Sequence, residues 1–223
     1  MTPHTAPPDC ANVAPVPWQS VAPGVWVWLP ERLAEISPVN QGRVLPVSAV
    51  VDAGQALVVD PGASHRQGDL VRRSLACQLG AQVHWIVNTH AHAESVLGNS
   101  AFADLQEKGL LDIAASEGTR EAMKKRCEQC LQSLTSRVGA AAMAGSRIVL
   151  PQRSLREGDT LQVGRIRLQV LLVSNAHTES DLLLWAPQQR VLWAGGLLYE
   201  GRIPELAQGS LNGWLNSLPR SEE

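Results

Sequence analysis

The chain has 223 residues, 44% of them hydrophobic, which is enough to bury the core of one domain. Its 19 basic and 21 acidic residues are dispersed along the sequence and give a formal net charge of -2, without the basic stripe typical of nucleic-acid-binding proteins. No apolar run approaches the roughly 18 residues of a membrane-spanning helix. We therefore expect a globular protein with neither a nucleic-acid partner nor a membrane span.

The first 20 residues contain several prolines and predict an extended or disordered lead, followed by one domain over residues 21–223. The opening stretch MTPHTAPPDCANVAPVP has neither the charged region nor the apolar region of an export signal. We expect no signal peptide in this chain, although an exported protein that has lost its signal would look the same. The sequence leaves the location of the protein open.

Strands are predicted to dominate the next part of the chain. The segments VAPGVWVWLP, RVLPVSAVVDAG and QALVVDPG are apolar runs bounded by turn residues, and they predict a meander that begins at Val21. A helix is predicted over residues 69–79, because apolar residues recur there at helical spacing before Gly80. A buried strand, VHWIVNTH, follows, and a loop containing HAHAES comes after it.

The remaining segments predict a second β-rich half. NSAFADLQEKG predicts a short helix, LLDIAAS is a short apolar run, and REAMKKRCEQCLQSLTSRVGAAAMAG predicts a long helix. Strands are then expected at SRIVLP, DTLQV, RIRLQVLLVSNAH, DLLLWAP and VLWAGGLLY. Two β-rich halves with helices outside them indicate a layered sandwich.

The four cysteines give one close pair. Cys127 and Cys130 lie in a C-x-x-C arrangement inside the predicted long helix, where residues three apart share a face. Packing of the helix is the favoured interpretation, and a disulfide or redox pair and a metal site remain open alternatives. We assign no functional role to Cys10 and Cys77.

Three of the six histidines follow apolar strands. His90 and His92 end the strand HWIVNTH, and their spacing places both imidazoles on one side of an extended segment. His177 comes directly after RIRLQVLLVSNAH. Because zinc in hydrolytic sites takes three protein ligands and leaves one position for water, these residues predict a candidate zinc site at one rim of the sandwich.

Four ordered segments then resemble a known family. VNTHAHAESVLGN looks like the metallo-β-lactamase superfamily motif T-H-x-H-x-D-H-x-x-G-N, and NAHTESDLLLW looks like its G-H-T-x-G-D segment. VVDPG and VLWAGGLLY occupy the places of its V-D-x-G turn and its V-L-F-x-G-D strand. Within the superfamily, KKRCEQCLQSL, AMAGSRIVLP and EGRIPEL look closest to the branch of quinoprotein relay system zinc metallohydrolases.

The resemblance implies an α+β fold, a four-layer αββα sandwich, with zinc at the rim of the two sheets. His90, His92 and His177 match the ligands of the family's first zinc site. The second site is degenerate in this chain, because Glu94 replaces an aspartate, Ser95 a histidine and Gly196 the carboxylate that bridges both metals. The family's last strand and last helix are expected to be missing beyond WLNSLP, so that either the protein is naturally short or a protein partner covers the C-terminal half.

Two functions are compatible with these residues. The first is a mononuclear hydrolase with one Zn²⁺ ion, which uses metal-activated water on a small-molecule ester, thioester, lactone or amide, with Glu94 as the catalytic base. The second is a catalytically impaired accessory or binding protein. Asp181 is expected to hold the loop around His177, and Asp60 to have a similar structural role in its turn. The resemblance implies a periplasmic location, and a cytoplasmic one is the alternative.

Overall fold

The computed structural model describes residues 10–30, 35–200, 203–206 and 208–221. Seven strands form the first sheet, and their spatial order follows their order in the chain. The strands are β1 Gln19–Ala22, β2 Val25–Trp28, β3 Val47–Asp52, β4 Gln55–Val59, β5 Gln82–Val87, β6 Asp112–Ser116 and β7 Arg153–Leu155. The first four pair antiparallel, whereas β4 to β7 pair in parallel, which requires the longer crossover connections that the helices supply.

A second sheet of four antiparallel strands packs against the first. Its spatial order is β11-β10-β9-β8. The strands are β8 Thr160–Val163, β9 Ile166–Ser174, β10 Ser180–Ala186 and β11 Val191–Trp193. Between the sheets, Val50 and Leu57 of the first sheet share one buried apolar cluster with Leu168 and Leu184 of the second. This cluster is the central layer of the core.

In the described part of the chain, five α-helices accompany the sheets. They are α1 His65–Leu79, α2 Ala93–Val96, α3 Ala103–Glu107, α4 Glu117–Val138 and α5 Leu211–Ser217. The sequence defines the ends of α1 locally, because the Ser64 side chain accepts a hydrogen bond from the backbone N–H of Gln67 and Gly80 ends the helix in a left-handed conformation. Among the described helices, none combines the length and apolar content that crossing a membrane requires.

The helices cover the outer faces of both sheets. Leu75 of α1 is buried in one cluster with Val58 and Ile86 of the first sheet. On the other side of the molecule, Trp214 of α5 is buried with Leu183 of the second sheet. The order of layers is therefore helix, sheet, sheet, helix, which confirms the expected αββα sandwich.

Three predicted strands differ from the observed ones. VLWAGGLLY forms a strand only over Val191–Trp193. VAPGVWVWLP is not one strand but two, because Gly24 adopts a left-handed conformation and turns the chain between β1 and β2. SRIVLP forms no strand, and β7 begins only after Pro151. The carbonyl groups of this segment accept hydrogen bonds from side chains instead. The Asn99 amide, for example, donates to the Val149 carbonyl at 3.1 Å.

Cys10 and Cys77, to which we assigned no functional role, form a disulfide that the sequence did not indicate. The bond joins the N-terminal segment to α1 across 67 residues of sequence. Residues 1–9 of the predicted lead lie outside the described residues. Residues 10–20 lie along α1, where the backbone N–H of Val16 donates to the Gln78 side chain at 2.9 Å and Trp18 Nε1 donates to Ser74 Oγ at 3.1 Å.

Candidate metal centre

The three predicted ligands meet at one point of the rim. His90 and His92 lie in the segment between β5 and α2, and His177 lies between β9 and β10. One ring nitrogen from each residue lies within 4.8 Å of those of the other two. His92 Nδ1 and His177 Nε2 are 3.2 Å apart. Three imidazoles at these separations could hold one metal ion.

A hydrogen bond between the two halves of the fold keeps the ligand loops together. The backbone N–H of Leu182 in β10 donates to the carbonyl of Thr89, the residue before His90, at 2.9 Å. Asp181 accepts from both the backbone N–H and the hydroxyl of Thr178, at 2.9 and 2.8 Å, and so shapes the loop that carries His177. The expected structural role of Asp181 agrees with these contacts.

The ring nitrogens that face away from the common point each have a hydrogen-bond partner. His90 Nδ1 lies 2.8 Å from Thr89 Oγ1, His92 Nε2 lies 3.1 Å from Gln208 Oε1, and His177 Nδ1 lies 2.7 Å from the Glu205 carbonyl. A carbonyl oxygen only accepts, so His177 carries its proton on Nδ1 and has a free lone pair on Nε2. Such outer partners orient metal-binding histidines and select their tautomer.

Asp60 determines the direction of the hydrogen bond at His90. The Thr89 hydroxyl and backbone N–H donate to the two oxygens of Asp60, at 2.6 and 2.9 Å. When Asp60 is a carboxylate, that hydroxyl donates its only hydrogen to it, so the hydroxyl oxygen is left to accept from His90 Nδ1. The lone pair of His90 is then on Nε2, the nitrogen that a metal ion needs.

Burial favours the neutral form of two of the candidate ligands, His90 and His177. Burial, together with the neighbouring His92 and His177, lowers the pKa of His90 well below its ordinary value. Burial and His92 also lower the pKa of His177, although its bond to the Glu205 carbonyl opposes the shift. Since a metal ion binds the neutral imidazole, the fold favours the form that can coordinate.

The same burial acts on Asp60 in the opposite sense. Loss of hydration raises the pKa of Asp60 to about 7, and the bonds from Thr89 only partly offset the shift. The backbone of Asp60 is in the left-handed region, with φ of 52°, although Asp60 is not a glycine. The fold therefore maintains both a strained backbone and a buried carboxyl next to the candidate centre.

A sequence model of the metallo-beta-lactamase superfamily matches residues 42–220. The chain belongs to this superfamily. An uncharacterized protein of Aquifex aeolicus is 27% identical over 170 residues, which are 72% of this chain and 72% of that protein. The branch of quinoprotein relay system metallohydrolases stays a prediction.

Solved structures show the same fold. The metallo-beta-lactamase from Pontibacter korlensis has a TM-score of 0.70 and 19% identity, over 92% of this chain and 84% of its own. The metallo beta lactamase from Hirschia baltica has a TM-score of 0.67 and 14% identity, over 93% of this chain and 84% of its own. At these identities the likeness establishes the fold and no more.

Two of the positions that differ from the superfamily's second-site motif lie at the centre. Glu94 Oε1 is 3.7 Å from His92 Nδ1, the nitrogen that faces the common point. Ser95 Oγ is 3.4 Å from His90 Nε2. Both side chains are thus next to the place that a metal ion would take.

Gly196, the third such position, is in contact with His177. A β-carbon at residue 196 would lie 2.1 Å from Cδ2 of the His177 ring. The imidazole occupies the space that a side chain at this position would need. The position where the motif has a carboxylate is therefore filled by one of the candidate ligands.

A cavity of about 650 Å³ opens beside the three histidines. Its wall is largely apolar, and carboxylates are at its margin. The apolar residues include Leu29, Pro46, Leu192 and Leu198, and the acidic ones are Asp60, Glu94, Glu200 and Glu205. Its volume is that of a small-molecule binding site.

Sequence reasoning missed several partners of the ligands. Thr89 had a signal, because it is the threonine of the T-H-x-H motif. Gln208 and the Glu205 carbonyl had no sequence signal, because their segment has no periodicity and comes close to the histidines only when the chain is folded. Trp214 was also missed. Its ring centroid lies 5.6 Å from that of His177, and its Nε1 donates to the Leu197 carbonyl at 2.9 Å.

Proposed function

We propose that the protein is a zinc-dependent hydrolase that holds one Zn²⁺ ion on His90, His92 and His177. The main observation in support is that three imidazole nitrogens converge while the outer nitrogens of the same rings are all hydrogen-bonded. A zinc ion in such a site supplies a Lewis acid that activates water near neutral pH. The proposed reaction is hydrolysis of an ester, thioester, lactone or amide bond.

Glu94 is the proposed general base. Its carboxylate is 3.7 Å from His92 Nδ1 and lines the same cavity as His90 and His177. From this position the carboxylate can take a proton from a water molecule at the common point and pass it to the leaving group. The role needs no second metal ion.

The cavity supports a small, mainly apolar substrate. Leu29, Leu198 and Tyr199 offer contacts for an acyl or alkyl group at the mouth. Within the described lining there is no Lys or Arg to pair with a substrate carboxylate or phosphate. An uncharged acyl compound therefore fits this part of the site better than an anionic one.

The alternative is an accessory or binding protein that keeps the fold without catalysis. Ser95 and Gly196 favour it, because neither offers the ligand that a dinuclear member of the superfamily has at that position. A protein partner over the C-terminal half is part of the proposal. The exposed side chains of Leu211 and Leu215 on α5 are consistent with such a partner.

We also propose that the protein is located in an oxidising compartment. The disulfide between Cys10 and Cys77 is of the kind that persists in secreted and periplasmic proteins. A periplasmic location is the one that the narrower family resemblance implies.

Metal analysis combined with a substrate screen tests the function. We expect one zinc per chain, hydrolysis of at least one compound in a panel of chromogenic esters, thioesters, lactones and anilides, and loss of both with a chelator. His92→Ala should lose zinc and activity, while His84→Ala, on β5 away from the centre, should retain both. Zinc without hydrolysis favours the accessory alternative, and a folded chain that takes up no zinc contradicts the proposal.

A further inference from the structure

We propose that Cys130 is a site of thiol–disulfide exchange with low-molecular-weight disulfides, and that Cys127 is its resolving thiol. The two thiols are the only cysteines left free in the described part of the chain, since Cys10 and Cys77 are bonded to each other. The proposal does not require the protein to be a hydrolase.

The two thiols differ in access, as an attacking and a resolving cysteine should. Cys130 is partly exposed and lines a cavity of about 610 Å³, whose wall also includes His92, Glu94 and Arg137. Cys127 is fully buried one turn earlier on α4. A small disulfide can therefore reach Cys130 from solvent, whereas Cys127 can only be reached through Cys130.

The electrostatics of the pair agree with this order. A hydrogen bond with the Cys127 thiol lowers the pKa of Cys130, and the same bond together with burial raises the pKa of Cys127. Burial and the Glu94 carboxylate oppose the lowering of the Cys130 pKa, whereas His92 and Arg126 add to it. Because the thiolate is the nucleophile in exchange, Cys130 is the residue that reacts first.

The exchange balances without any further reactant. The Cys130 thiolate attacks one sulfur of the small disulfide, and the second sulfur leaves as a thiolate that takes up a proton. Cys127 then gives up its proton and attacks Cys130 Sγ, which releases the other half of the reagent as a second thiol. Two protein thiols are oxidised to one disulfide, and the small disulfide is reduced to two thiols.

The exchange site is coupled to the candidate metal centre through packing. Cys127 shares a buried cluster with Ala91, and Cys130 packs against the cluster that contains Ala93. These two alanines flank His92. Side chains three apart on a helix have β-carbons about 5–6 Å apart, whereas a disulfide needs roughly 3.5–4.5 Å, so closing the bond must distort α4 beneath His92.

Mass spectrometry of protein treated with glutathione disulfide tests the exchange. The mass of the native chain should fall by that of two hydrogen atoms, and the peptide that contains Cys127 and Cys130 should carry one new disulfide between them. Cys127→Ala should stop at the first step and carry one glutathionyl group on Cys130. Cys130→Ala should carry none while folded. Failure of Cys130 to react in both the native chain and Cys127→Ala overturns the proposal.

Zinc affinity tests the coupling and gives a readout independent of turnover. We expect the oxidised chain to bind zinc about tenfold more weakly than the reduced chain, the size of effect typical of changes in the residues that support a metal ligand. The double variant Cys127→Ala/Cys130→Ala keeps the Cys10–Cys77 disulfide and should show equal affinity before and after glutathione disulfide. Equal affinities in the native chain would overturn the coupling even if the exchange occurs.

Discussion

The imidazole of His177 lies against the backbone of Gly196 so closely that a β-carbon at residue 196 would be 2.1 Å from the ring. The observed position of the His177 ring therefore leaves no space for a side chain at residue 196. The glycine also removes the carboxylate that the superfamily motif has at this position. The proposed arrangement with one metal ion is consistent with both features.

Restoring a carboxylate at residue 196 should damage the centre. We expect Gly196→Asp to displace His177 and lower zinc affinity about 100-fold, without a gain of a second zinc. Metal analysis and competition with a chelator measure both. Gly109→Ala is the control, because it has open space around it and only its own backbone strain. Two zincs per chain in Gly196→Asp would contradict this interpretation of the contact.

Asp60→Asn should change the tautomer of His90. The new amide group would donate to Thr89 Oγ1, whose hydrogen would then turn to His90 Nδ1 and leave the proton of the ring on Nε2. We expect zinc affinity to fall about 10- to 100-fold. Asp112→Asn makes the same chemical change far from the centre and should bind zinc normally. Normal binding by Asp60→Asn would exclude this role of Asp60.

The stability of the metal-free protein should depend on pH through Asp60. The pKa of Asp60 in the fold is about 7, above its ordinary value of 3.8, so between these values the folded chain holds a proton that the unfolded chain has released. The contribution of Asp60 to the free energy of unfolding is therefore fully present below about pH 4 and is lost as the pH rises through about 7.

Urea unfolding of the native chain and Asp60→Asn at pH 5 and pH 8 isolates this contribution. Relative to the variant, the native chain should lose roughly 2–3 kcal/mol over that interval. His90 and His177 are present in both proteins, so the opposite pH dependence that their lowered pKa values give to stability cancels in the comparison. A stability difference that does not change with pH would contradict the assignment.

Gln208 should support zinc binding by accepting a hydrogen bond from His92 Nε2. We expect Gln208→Leu to weaken zinc about tenfold, while Gln208→Glu, which retains an acceptor, binds at least as well as the native chain. Titration with a chelator measures both affinities. Equal weakening in the two variants would indicate a steric cause.

Glu94→Gln should separate catalysis from metal binding. The variant retains the size of the side chain but cannot accept the proton, so turnover should fall about 100-fold or more while zinc content stays at one. Glu121→Gln on the exposed face of α4 is the control. An unchanged rate would remove Glu94 from the mechanism.

Local sequence determined the elements that carry the ligands. Strand-end histidines at i and i+2, a third histidine after the next long strand, and four motifs in order were sufficient for the fold and for the convergence of His90, His92 and His177. These signals are readable because each depends on neighbouring residues, through strand periodicity or turn chemistry.

Only the tertiary structure decided what surrounds the ligands. The Cys10–Cys77 disulfide, the bond from His92 to Gln208 and the space between Gly196 and His177 all join residues that are distant in sequence or in no periodic pattern. Their proximity depends on how the sheets and the C-terminal segment pack. Packing of this kind determines which tautomers the three histidines adopt and which cavity lies beside them.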